Sequence, residues 1–477
     1  MIPILTSEEM RTLERLAVGS GRVTSLELQE LSAKGAVALI PEGVRVDVVA
    51  GPGNNGGDAL AVARLLMARW QDVRVWALSP DPAWTGDAEI QHQQWLAAGG
   101  EVGFTDDPLT EPALRESAWF VDGMFGLSAN RALSGVGKAW ADLWNYRKGH
   151  CEILALDQPS GLRPDDPDCM ESYATRTACF GYQKLCHALM PARAACGEIT
   201  VVDLSIIYYN PAPGLAGIVP RHWLVNKIQP GPHPWNAHKR DKGHVAIRAG
   251  SLGMSGAAVL AALGALRVGA GLVTVLTDAD VRAEIACQVP EAMVRTWDGV
   301  IPEGTDVLLV GPGGVKEVPE WKGPLVLDAS ALKDGEGSSW MARPDTIITP
   351  HSGEFSRLFR LPKAETTRAR LNQCWSVAKG PGVLVMKGAQ SITAEGGYLY
   401  INDSGHWGLA TGGTGDFLAG MVAGLRAQDL SPRAAVINAT WLHGRCADRL
   451  GPGPLLPRDL AEELPKLLRD LYAGRPA

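Results

Sequence analysis

The sequence lacks the features by which membrane, secreted and nucleic-acid-binding proteins are recognised. No stretch reaches about 18 uninterrupted apolar residues, the length that a membrane-spanning helix needs, and the amino terminus MIPILTSEEM has no basic segment followed by an apolar one. No block of Lys and Arg is present, and the formal net charge of −7 disfavours nucleic acid and anionic membranes as partners. We therefore expect a cytoplasmic protein that acts on small molecules.

The sequence also lacks a cysteine framework. Its 8 cysteines include no C-x-x-C pair. Cys169, Cys179, Cys186 and Cys196 lie close together in the sequence, but their spacing matches no zinc module. We expect reduced and mostly buried thiols.

Prolines divide the chain into two halves. The segment 208–244 contains prolines at positions 211, 213, 220, 230, 232 and 234, and we expect no regular element in it. We place one domain at 1–220, a Pro-rich linker at 221–235 and a second domain at 236–477. On both sides, β-branched runs such as VRVDVVA and GHVAIRAGS alternate with Ala- and Leu-rich helical stretches. This alternation predicts two α/β domains with mainly parallel sheets, whose ligands bind beyond the carboxyl ends of the strands.

The segment AGPGNNGGDALAVARLL, residues 50–66, matches the G-x-G-x-x-G fingerprint of dinucleotide-binding folds at Gly51, Gly53 and Gly56. It follows a strand-like run and precedes a helix-like one. A dinucleotide-binding fold would also place an acidic residue about 20 positions further on, at the end of the next strand. The sequence offers only Asp81, beyond a proline. A plain tight turn explains the glycines as well, so the fingerprint alone leaves both interpretations open.

Polar side chains follow three predicted strands in the first half, at residues 54–58, Asp122 and Asp157. Each carboxylate alone is explained by capping of a loop, but three such ends with glycine-rich loops favour a site. Asn55, Asp122 and Ser160 could supply oxygen ligands to a hard cation. Asp157 is then a candidate for proton transfer.

Taken in order, NNGGD, VDxxFG, DQPSG and the later Lys184 resemble the NAD(P)H-hydrate epimerase domain over roughly residues 4–220. The resemblance implies a Rossmann-like three-layer α/β/α fold that inverts the hydroxyl-bearing carbon of a hydrated nicotinamide ring. It implies that Asp157 is the catalytic acid/base and that Asn55, Asp122 and Ser160 bind K⁺. The residues implied to hold the substrate are Asn54, Asn55, Gly56, Gly57, Asp58, Gly126, Leu127, Ser128, Ala129, Asn130, Arg131 and Ala132. The sequence departs from the family after DQPSGL, where RPDDPDCMESYATRTACFGYQK replaces a simpler D-T-G turn.

The segment GLATGGTGDFLAGMVAGLRAQ, residues 408–428, is the strongest signal in the sequence. Gly412, Gly413 and Gly415 permit a loop whose N–H groups face one point, and Asp416 begins an amphipathic helix whose N-terminus attracts anions. In phosphoryl transfer, such a loop stabilises the charge of the transferred group, while the carboxylate takes a proton from the attacking hydroxyl. A glycine-rich helix start with an aspartate cap is the simpler alternative. The segment is not a Walker loop, because no Lys-Ser or Lys-Thr follows the glycines.

This segment, with GPGG, LDASAL, TPHSGE and MKGAQS, resembles the ADP-dependent NAD(P)H-hydrate dehydratase domain of the ribokinase-like superfamily, over about residues 235–450. The resemblance implies that ADP, with Mg²⁺, phosphorylates the ring hydroxyl, that phosphate then leaves, and that Asp416 deprotonates the hydroxyl. Gly415 and residues Lys387, Gly388, Ala389, Gln390 and Ser391 are implied to bind the nucleotide. Ala257, Gly313 and His351 are implied to bind the hydrated cofactor. The sequence departs from the family in GPGGV, and at Ser330 and Lys333 within LDASALK.

The two halves point to one substrate, since an epimerase supplies the form that a dehydratase consumes. We therefore expect a bifunctional repair enzyme for the hydrated cofactors NADHX and NADPHX, and we expect it to be a homo-oligomer. The alternative is an ATP-dependent kinase of a small alcohol with a non-catalytic amino-terminal binding module.

Overall fold

The computed structural model describes residues 1–69, 71–206, 221–228 and 236–475. The chain divides into two compact units, of which one comprises Pro3–Arg221 and the other Met1–Ile2 with His222–Ala477. We call them the first and the second unit. The prolines of the predicted linker and of the segment before it, at 211–220 and 230–234, lie outside the described residues. The bounds of that linker therefore stay a prediction.

The first unit contains a parallel sheet with helices between its strands. The chain begins with β1 (Ile2–Ile4), which spans the boundary between the two units. The elements that follow, up to Val202, are α1 (Ser7–Gly19), α2 (Ser25–Val37), β2 (Val46–Ala50), α3 (Asn54–Met67), β3 (Val73–Ala77), α4 (Asp87–Ala97), β4 (Val102–Phe104), β5 (Trp119–Gly123), α5 (Gly135–Tyr146), β6 (Glu152–Leu156), β7 (Arg176–Phe180), α6 (Leu185–Ala188), α7 (Ala192–Ala195) and β8 (Glu198–Val202). Seven strands form the sheet in the order β4-β3-β2-β5-β6-β7-β8, with parallel pairing throughout.

This strand order reverses direction between β2 and β5. The chain proceeds from β2 towards β4 on one side and from β5 towards β8 on the other. Because parallel crossovers are right-handed, α3 and α5 cover opposite faces of the sheet, which gives three layers. Strands covered on both faces are continuously apolar, and β2 and β5 are indeed buried at every residue.

The second unit repeats this principle in a larger sheet. Its elements from residue 222 onward are β9 (His222–Val225), β10 (His244–Arg248), α8 (Ser255–Arg267), β11 (Leu272–Thr277), α9 (Arg282–Gln288), β12 (Met293–Thr296), β13 (Val307–Val310), β14 (Leu325–Leu327), α10 (Gly337–Ala342), β15 (Thr346–Ile348), α11 (Ser352–Phe359), α12 (Thr367–Val377), β16 (Val383–Met386), β17 (Ile392–Glu395), β18 (Tyr398–Asn402), α13 (Thr414–Ala427), α14 (Pro432–Leu450) and α15 (Pro457–Tyr472). From β9 the sheet order is β9-β18-β17-β16-β15-β14-β13-β10-β11-β12. Pairing is parallel from β12 to β16, and antiparallel between β16 and β17 and between β17 and β18.

Helices α8 and α13 cross at two glycines, Gly264 and Gly420. A Cβ added at Gly420 would overlap the carbonyl oxygen of Ala261, and one added at Gly264 would overlap that of Phe417. The two helices therefore touch backbone to backbone. This contact fixes α13, whose first turn carries Asp416.

One strand corrects an expectation drawn from the sequence, and another was not predicted. Strand β9 lies at His222–Val225, so the expectation that no regular element forms between 208 and 244 is wrong there. Strand β7 lies within the segment that departs from the epimerase pattern, and it pairs with both β6 and β8. The prediction of two α/β units with mainly parallel sheets is confirmed.

Candidate active sites

The first unit has a cleft of about 970 Å³ at the carboxyl ends of its strands. This volume lies within the range of small-molecule sites. The cleft is lined by Asn54, Asn55 and Asp58 after β2, by residues 126–132 after β5, and by Asp157 after β6. The structure thus brings together most of the predicted substrate residues. The remaining two, Gly56 and Gly57, are buried and do not line the cleft.

Helix α1 forms part of the same cleft, which the sequence did not predict. Arg11, Glu14 and Arg15 line it, and Arg11 Nη2 donates a hydrogen bond of 3.2 Å to Leu127 O. The helix begins at a capping box in which Thr6 and Glu9 bond each other's backbone N–H groups. Motif spacing could not place α1 here, because the contact joins residues far apart in the sequence.

Asp157 and Lys184 form a buried ion pair at the edge of the cleft. The Asp157 carboxylate accepts a hydrogen bond from Lys184 Nζ, and the same ammonium donates to Phe180 O at 3.0 Å. Asp157 is 5% exposed and Lys184 is 1% exposed. Burial opposes the charge on Lys184, but Asp157, Cys179 and Cys186 together outweigh burial and raise the pKa of the ammonium. Lys184 is therefore a buried cation that is bonded to the Asp157 carboxyl group and to Phe180 O.

Two further carboxyl groups face this pair. Burial, followed by the charge of Asp157, raises the pKa of Asp58 and also that of Glu14. Lys184 lowers the pKa of Glu14, but by less than burial and Asp157 raise it. The cleft therefore holds one carboxylate paired with a cation beside two carboxyl groups that retain protons more strongly than usual.

Asp122 and Ser160 meet behind the cleft wall. The Asp122 carboxylate accepts hydrogen bonds from Ser160 N at 2.7 Å, from Ser160 Oγ at 2.6 Å and from Met124 N at 3.2 Å. Burial raises the pKa of Asp122 to about 6, although the bonds from Ser160 and Met124 lower it. Within the described ranges, no basic side chain forms an ion pair with Asp122.

Asn55 lies across the same wall from these two residues. A Cβ added at Gly126 would stand 2.9 Å from Asn55 Oδ1, so this oxygen faces the loop after β5. Asn55 Nδ2 is buried and finds no hydrogen-bond partner in the described part of the chain. Amide, hydroxyl and carboxylate oxygens next to an uncompensated buried anion are a donor set that suits a hard cation.

The segment that departs from the epimerase pattern forms hydrogen bonds with several elements that surround the cleft. We call residues 162–175 the strap. Asp165 accepts hydrogen bonds from Ser7 N at 2.8 Å and Ser7 Oγ at 2.6 Å, at the start of α1. Glu171 Oε2 accepts one from Leu133 N at 2.8 Å, directly after the predicted substrate loop. Ser172 Oγ donates to Ser160 O. The strap therefore supports the cleft from outside.

In the second unit, Asp416 lies in the first turn of α13, as the sequence predicted. The preceding Gly413 has φ +91°, a left-handed conformation that favours glycine. A Cβ added at Gly415 would stand 3.3 Å from Lys387 Nζ, so an ammonium group lies beside this helix N-terminus. Burial, followed by the charges of Asp328 and Glu354, raises the pKa of Asp416 to about 6, although Lys387 lowers it.

Lys387 is held by Asp328, a residue that the sequence did not single out. Lys387 Nζ lies 2.6 Å from Asp328 Oδ1, which also accepts a bond of 2.6 Å from Thr349 Oγ1. Asp328 is 1% exposed. Burial opposes the charge on Lys387, but Asp328 and Glu354 outweigh burial and raise the pKa of the ammonium. Lys387 is therefore a fixed cation next to Asp416.

The other predicted residues of the second unit lie on neighbouring strand ends. Gly313 follows β13, and its carbonyl accepts a bond of 2.7 Å from Ser251 Oγ in the loop after β10. Ala257 lies in the first turn of α8. His351 caps α11, because its Nδ1 accepts from Gly353 N at 3.0 Å. This role is structural, and the predicted contact of His351 with a ligand stays a prediction.

Residues 387–391 connect β16 to β17, and Arg370 of α12 lies beneath them. Arg370 Nη2 donates to Gln390 O at 3.2 Å. Arg370 Nε is buried, and no hydrogen-bond partner for it occurs in the residues that the structure describes. Burial lowers the pKa of this guanidinium. No sequence motif marked Arg370, because only the fold brings α12 to this loop.

The described residues include neither a membrane-spanning helix nor a cluster of metal-binding side chains. No described helix is both long and apolar enough to cross a membrane. The same residues contain no group of three or more His, Cys, Asp or Glu side chains placed to bind a metal ion.

Two protein families match this chain, one on each half. Residues 245–466 match the family model described as NAD(P)H-hydrate dehydratase. Residues 23–186 match the model described as YjeF-related protein N-terminus.

Relatives match both halves together. The bifunctional NAD(P)H-hydrate repair enzyme Nnr of Moorella thermoacetica is 31% identical, and the match covers 98% of this chain and 97% of the relative. The enzyme of the same name from Coxiella burnetii is 33% identical over 97% of this chain and 99% of the relative. Among solved structures, the ADP/ATP-dependent NAD(P)H-hydrate dehydratase from Bacillus subtilis, co-crystallised with ATP/Mg²⁺, is 31% identical. It covers 51% of this chain and 95% of its own, with a TM-score of 0.47.

Proposed function

The chain belongs to the family of bifunctional NAD(P)H-hydrate repair enzymes, and from this we propose that each unit carries one of the two activities. The enzyme epimerises R- and S-NAD(P)HX and dehydrates the S form to NAD(P)H. We assign epimerisation to residues 1–220 and ADP-dependent dehydration to residues 236–477, because the two family matches lie on either side of residues 221–235. One observation carries the assignment: beyond the carboxyl ends of its strands, each unit presents a carboxyl group coupled to a lysine, with Asp157 buried and Asp416 partly buried.

In the first unit, Asp157 is the proposed acid/base. Inversion of the hydroxyl-bearing carbon requires a bond at that carbon to break and to form again, so a proton must be removed and returned nearby. Asp157 lines the cleft and is held in place by Lys184. The substrate lies against Asn54, Asn55, Asp58 and the loop 126–132, which line the same cleft.

Asn55, Asp122 and Ser160 are the proposed ligands of K⁺. The fit rests on the buried Asp122 carboxylate, which has no basic partner among the described residues, and on the neighbouring hydroxyl and amide oxygens. A bound K⁺ would compensate the charge of Asp122 and favour its ionised form. The chain itself orients these oxygens through the bonds of Ser160 to Asp122 and through the strap.

In the second unit, Asp416 is the proposed general base. It removes the proton from the ring hydroxyl, whose oxygen attacks the terminal phosphorus of ADP, and AMP leaves. Phosphate is then eliminated and the ring double bond is restored. The N-terminus of α13 and Lys387 stabilise the negative charge of the transferred group. Gly415 and residues 387–391 hold the nucleotide, and Ala257, Gly313 and His351 hold the hydrated cofactor.

Mg²⁺ is proposed to enter with the nucleotide. Mg²⁺ in such sites is held by phosphate oxygens, water and one or two carboxylates. The described residues offer no cluster of three or more ligands, which fits an ion carried mainly by ADP. Its chemistry is to neutralise the phosphate oxygens. Asp328 and Glu354, whose charges reach Asp416, are the nearest candidates to contact it.

The return of reduced-nicotinamide absorbance from a mixture of R- and S-NADHX tests the assignment in the full chain. With ADP, the wild type is expected to convert the whole mixture. Asp157→Ala is expected to convert only the S form at the normal rate, and Asp416→Asn to convert almost nothing. The exposed Asp106→Ala serves as a matched control that behaves like the wild type. Complete and rapid conversion by Asp157→Ala would remove Asp157 from the mechanism.

The same assay tests the phosphoryl donor, the substrate and the kinase alternative, and other methods test the remaining proposals. Replacing ADP by ATP, and NADHX by NADPHX, measures donor and substrate preference. Comparable turnover of a small alcohol that lacks the nicotinamide ring would favour the kinase alternative. The proposed homo-oligomer is tested by light scattering of the purified chain, and the proposed cytoplasmic location by cell fractionation.

A further inference from the structure

His187 lies directly behind Asp157, and the mechanism above does not use it. It belongs to the short helix α6, is 0% exposed and does not line the cleft. A buried, titratable side chain this close to a catalytic carboxylate needs an explanation, because burial of a polar ring is unfavourable unless its nitrogens are bonded.

Both ring nitrogens of His187 contact backbone groups of the ion pair. Nε2 lies 2.9 Å from Asp157 O, and Nδ1 lies 3.0 Å from Lys184 N. The thiol of Cys179 is 3.7 Å from Nδ1, and the same thiol donates to Tyr182 O at 3.3 Å. One side chain thus links the two residues whose side chains form the pair.

The partners fix which nitrogen carries the hydrogen. Burial, followed by the charge of Lys184, lowers the pKa of His187 to about 3, so the ring is neutral at physiological pH. The backbone N–H of Lys184 can only donate, so Nδ1 accepts. The hydrogen is therefore on Nε2, which donates to Asp157 O.

Asp157 needs such support because its backbone is strained. Its φ is +63°, in the left-handed region that residues other than glycine rarely adopt and that Asp tolerates better than most. This conformation turns the carboxylate from the end of β6 towards Phe180 N, at 3.4 Å, and towards Lys184. On the other side, Asp157 N donates to Ala178 O at 2.9 Å. His187 bonds the remaining backbone group of Asp157.

We propose that His187 is a positioning residue for epimerisation, holding the Asp157 carbonyl so that the carboxylate stays aligned with Lys184 and the substrate. The inference rests on the proposed role of Asp157. Misplacement of a reacting group by about 1 Å can lower a rate about a hundredfold. Loss of the contact should therefore act on kcat, because His187 does not touch the substrate.

Three substitutions in the full chain separate the two contacts. His187→Gln can place an amide N–H near the position of Nε2 and keep the bond to Asp157 O. His187→Asn can reach only the Lys184 side, and His187→Leu keeps neither bond. We expect His187→Gln to retain kcat within about threefold, and the Asn and Leu variants to lose about 10- to 100-fold in kcat with KM changed less than about threefold.

Epimerisation is measured by the rate at which R-NADHX becomes available to added, purified dehydratase, and dehydration of pure S-NADHX by the same variant reports on the second unit. Equal loss in the Gln and Asn variants, a change confined to KM, or a normal kcat in His187→Asn would each overturn the proposal. If His187→Leu does not fold, the comparison of Gln with Asn still decides. The proposed function fails separately, if Asp157→Ala still epimerises while His187 is intact.

Discussion

Replacing Asp416 by Asn separates the chemical role of this carboxylate from its effect on stability. The folded protein raises the pKa of Asp416 from 3.8 to about 6, chiefly by burial. The folded chain therefore binds this proton more tightly than the unfolded chain, and ionisation of Asp416 opposes folding. The difference corresponds to about 3 kcal/mol once the pH is above the folded pKa, and it disappears below the unfolded pKa.

Asp416→Asn removes this unfavourable ionisation together with the general base. The variant is expected to be more stable than the wild type by about 1–3 kcal/mol at pH 7.5. The difference should be clearly smaller at pH 4.5, because Asp416 is then at least partly protonated in both the folded and the unfolded wild type. Dehydration should fall by about two to four orders of magnitude, the usual contribution of a general base. In the wild type, dehydration should decline as the pH falls below about 6, because Asp416 becomes protonated.

Thermal unfolding of the full chain at the two pH values measures the stability difference, at about 2–4 °C per kcal/mol for a unit of this size. Comparing one variant at two pH values cancels any change in packing or hydrogen bonding. The exposed Asp280→Asn, in the same unit, is the matched control and should change neither property. Near-normal turnover would refute the role of Asp416 as base. A stability gain that is equal at both pH values would refute the electrostatic reasoning.

Three further predictions concern the first unit. Lys184→Met leaves Asp157 buried without its cation and should lower the free energy of unfolding by about 3–5 kcal/mol, measured by denaturant titration. Adding Asp157→Leu should recover part of this loss, and the absence of any recovery would contradict the prediction. Gly51→Ala places a Cβ on a backbone oxygen and should cost about 1–3 kcal/mol, whereas Gly53→Ala, with nothing within 4 Å, should stay within about 0.5 kcal/mol of wild type. Asp122→Asn should raise the K⁺ concentration needed for half-maximal epimerisation at least about tenfold, and an unchanged KCl titration would exclude Asp122 as a ligand.

The three fingerprint glycines show that a local motif can indicate tight packing without identifying a ligand. A Cβ at Gly51 would overlap the carbonyl oxygen of Met124, and one at Gly56 would overlap that of Gly51, whereas Gly53 has open space. Two of the three glycines therefore report the tight packing of β2, the turn and α3. They do not report which ligand lies above the turn. The sequence could predict the strand, the turn and the helix, but the ligand class came from several motifs together.

The parts of the site that the sequence did not reveal depend on contacts between distant residues. Arg370 reaches Gln390 O across 20 positions, and His187 reaches Asp157 O across 30. Neither separation along the sequence corresponds to the period of a helix or a strand. Strand β9 was missed for a related reason, since it pairs with the distant strand β18 although prolines flank it in the sequence. Burial of an apolar run such as VLLV of β13, in contrast, can be predicted from its composition alone.

The contribution of α1 to the cleft has a consequence for protein engineering. The parallel sheet β2 to β8 does not include this helix, yet Arg11, Glu14 and Arg15 face the cleft and Ser7 is anchored to the strap. A shortened protein that begins at α2 would contain every strand from β2 to β8, but its cleft would lack this wall. Intact folding of such a fragment would then be a misleading guide to its activity, and fusion partners at this terminus would best be joined through a flexible spacer.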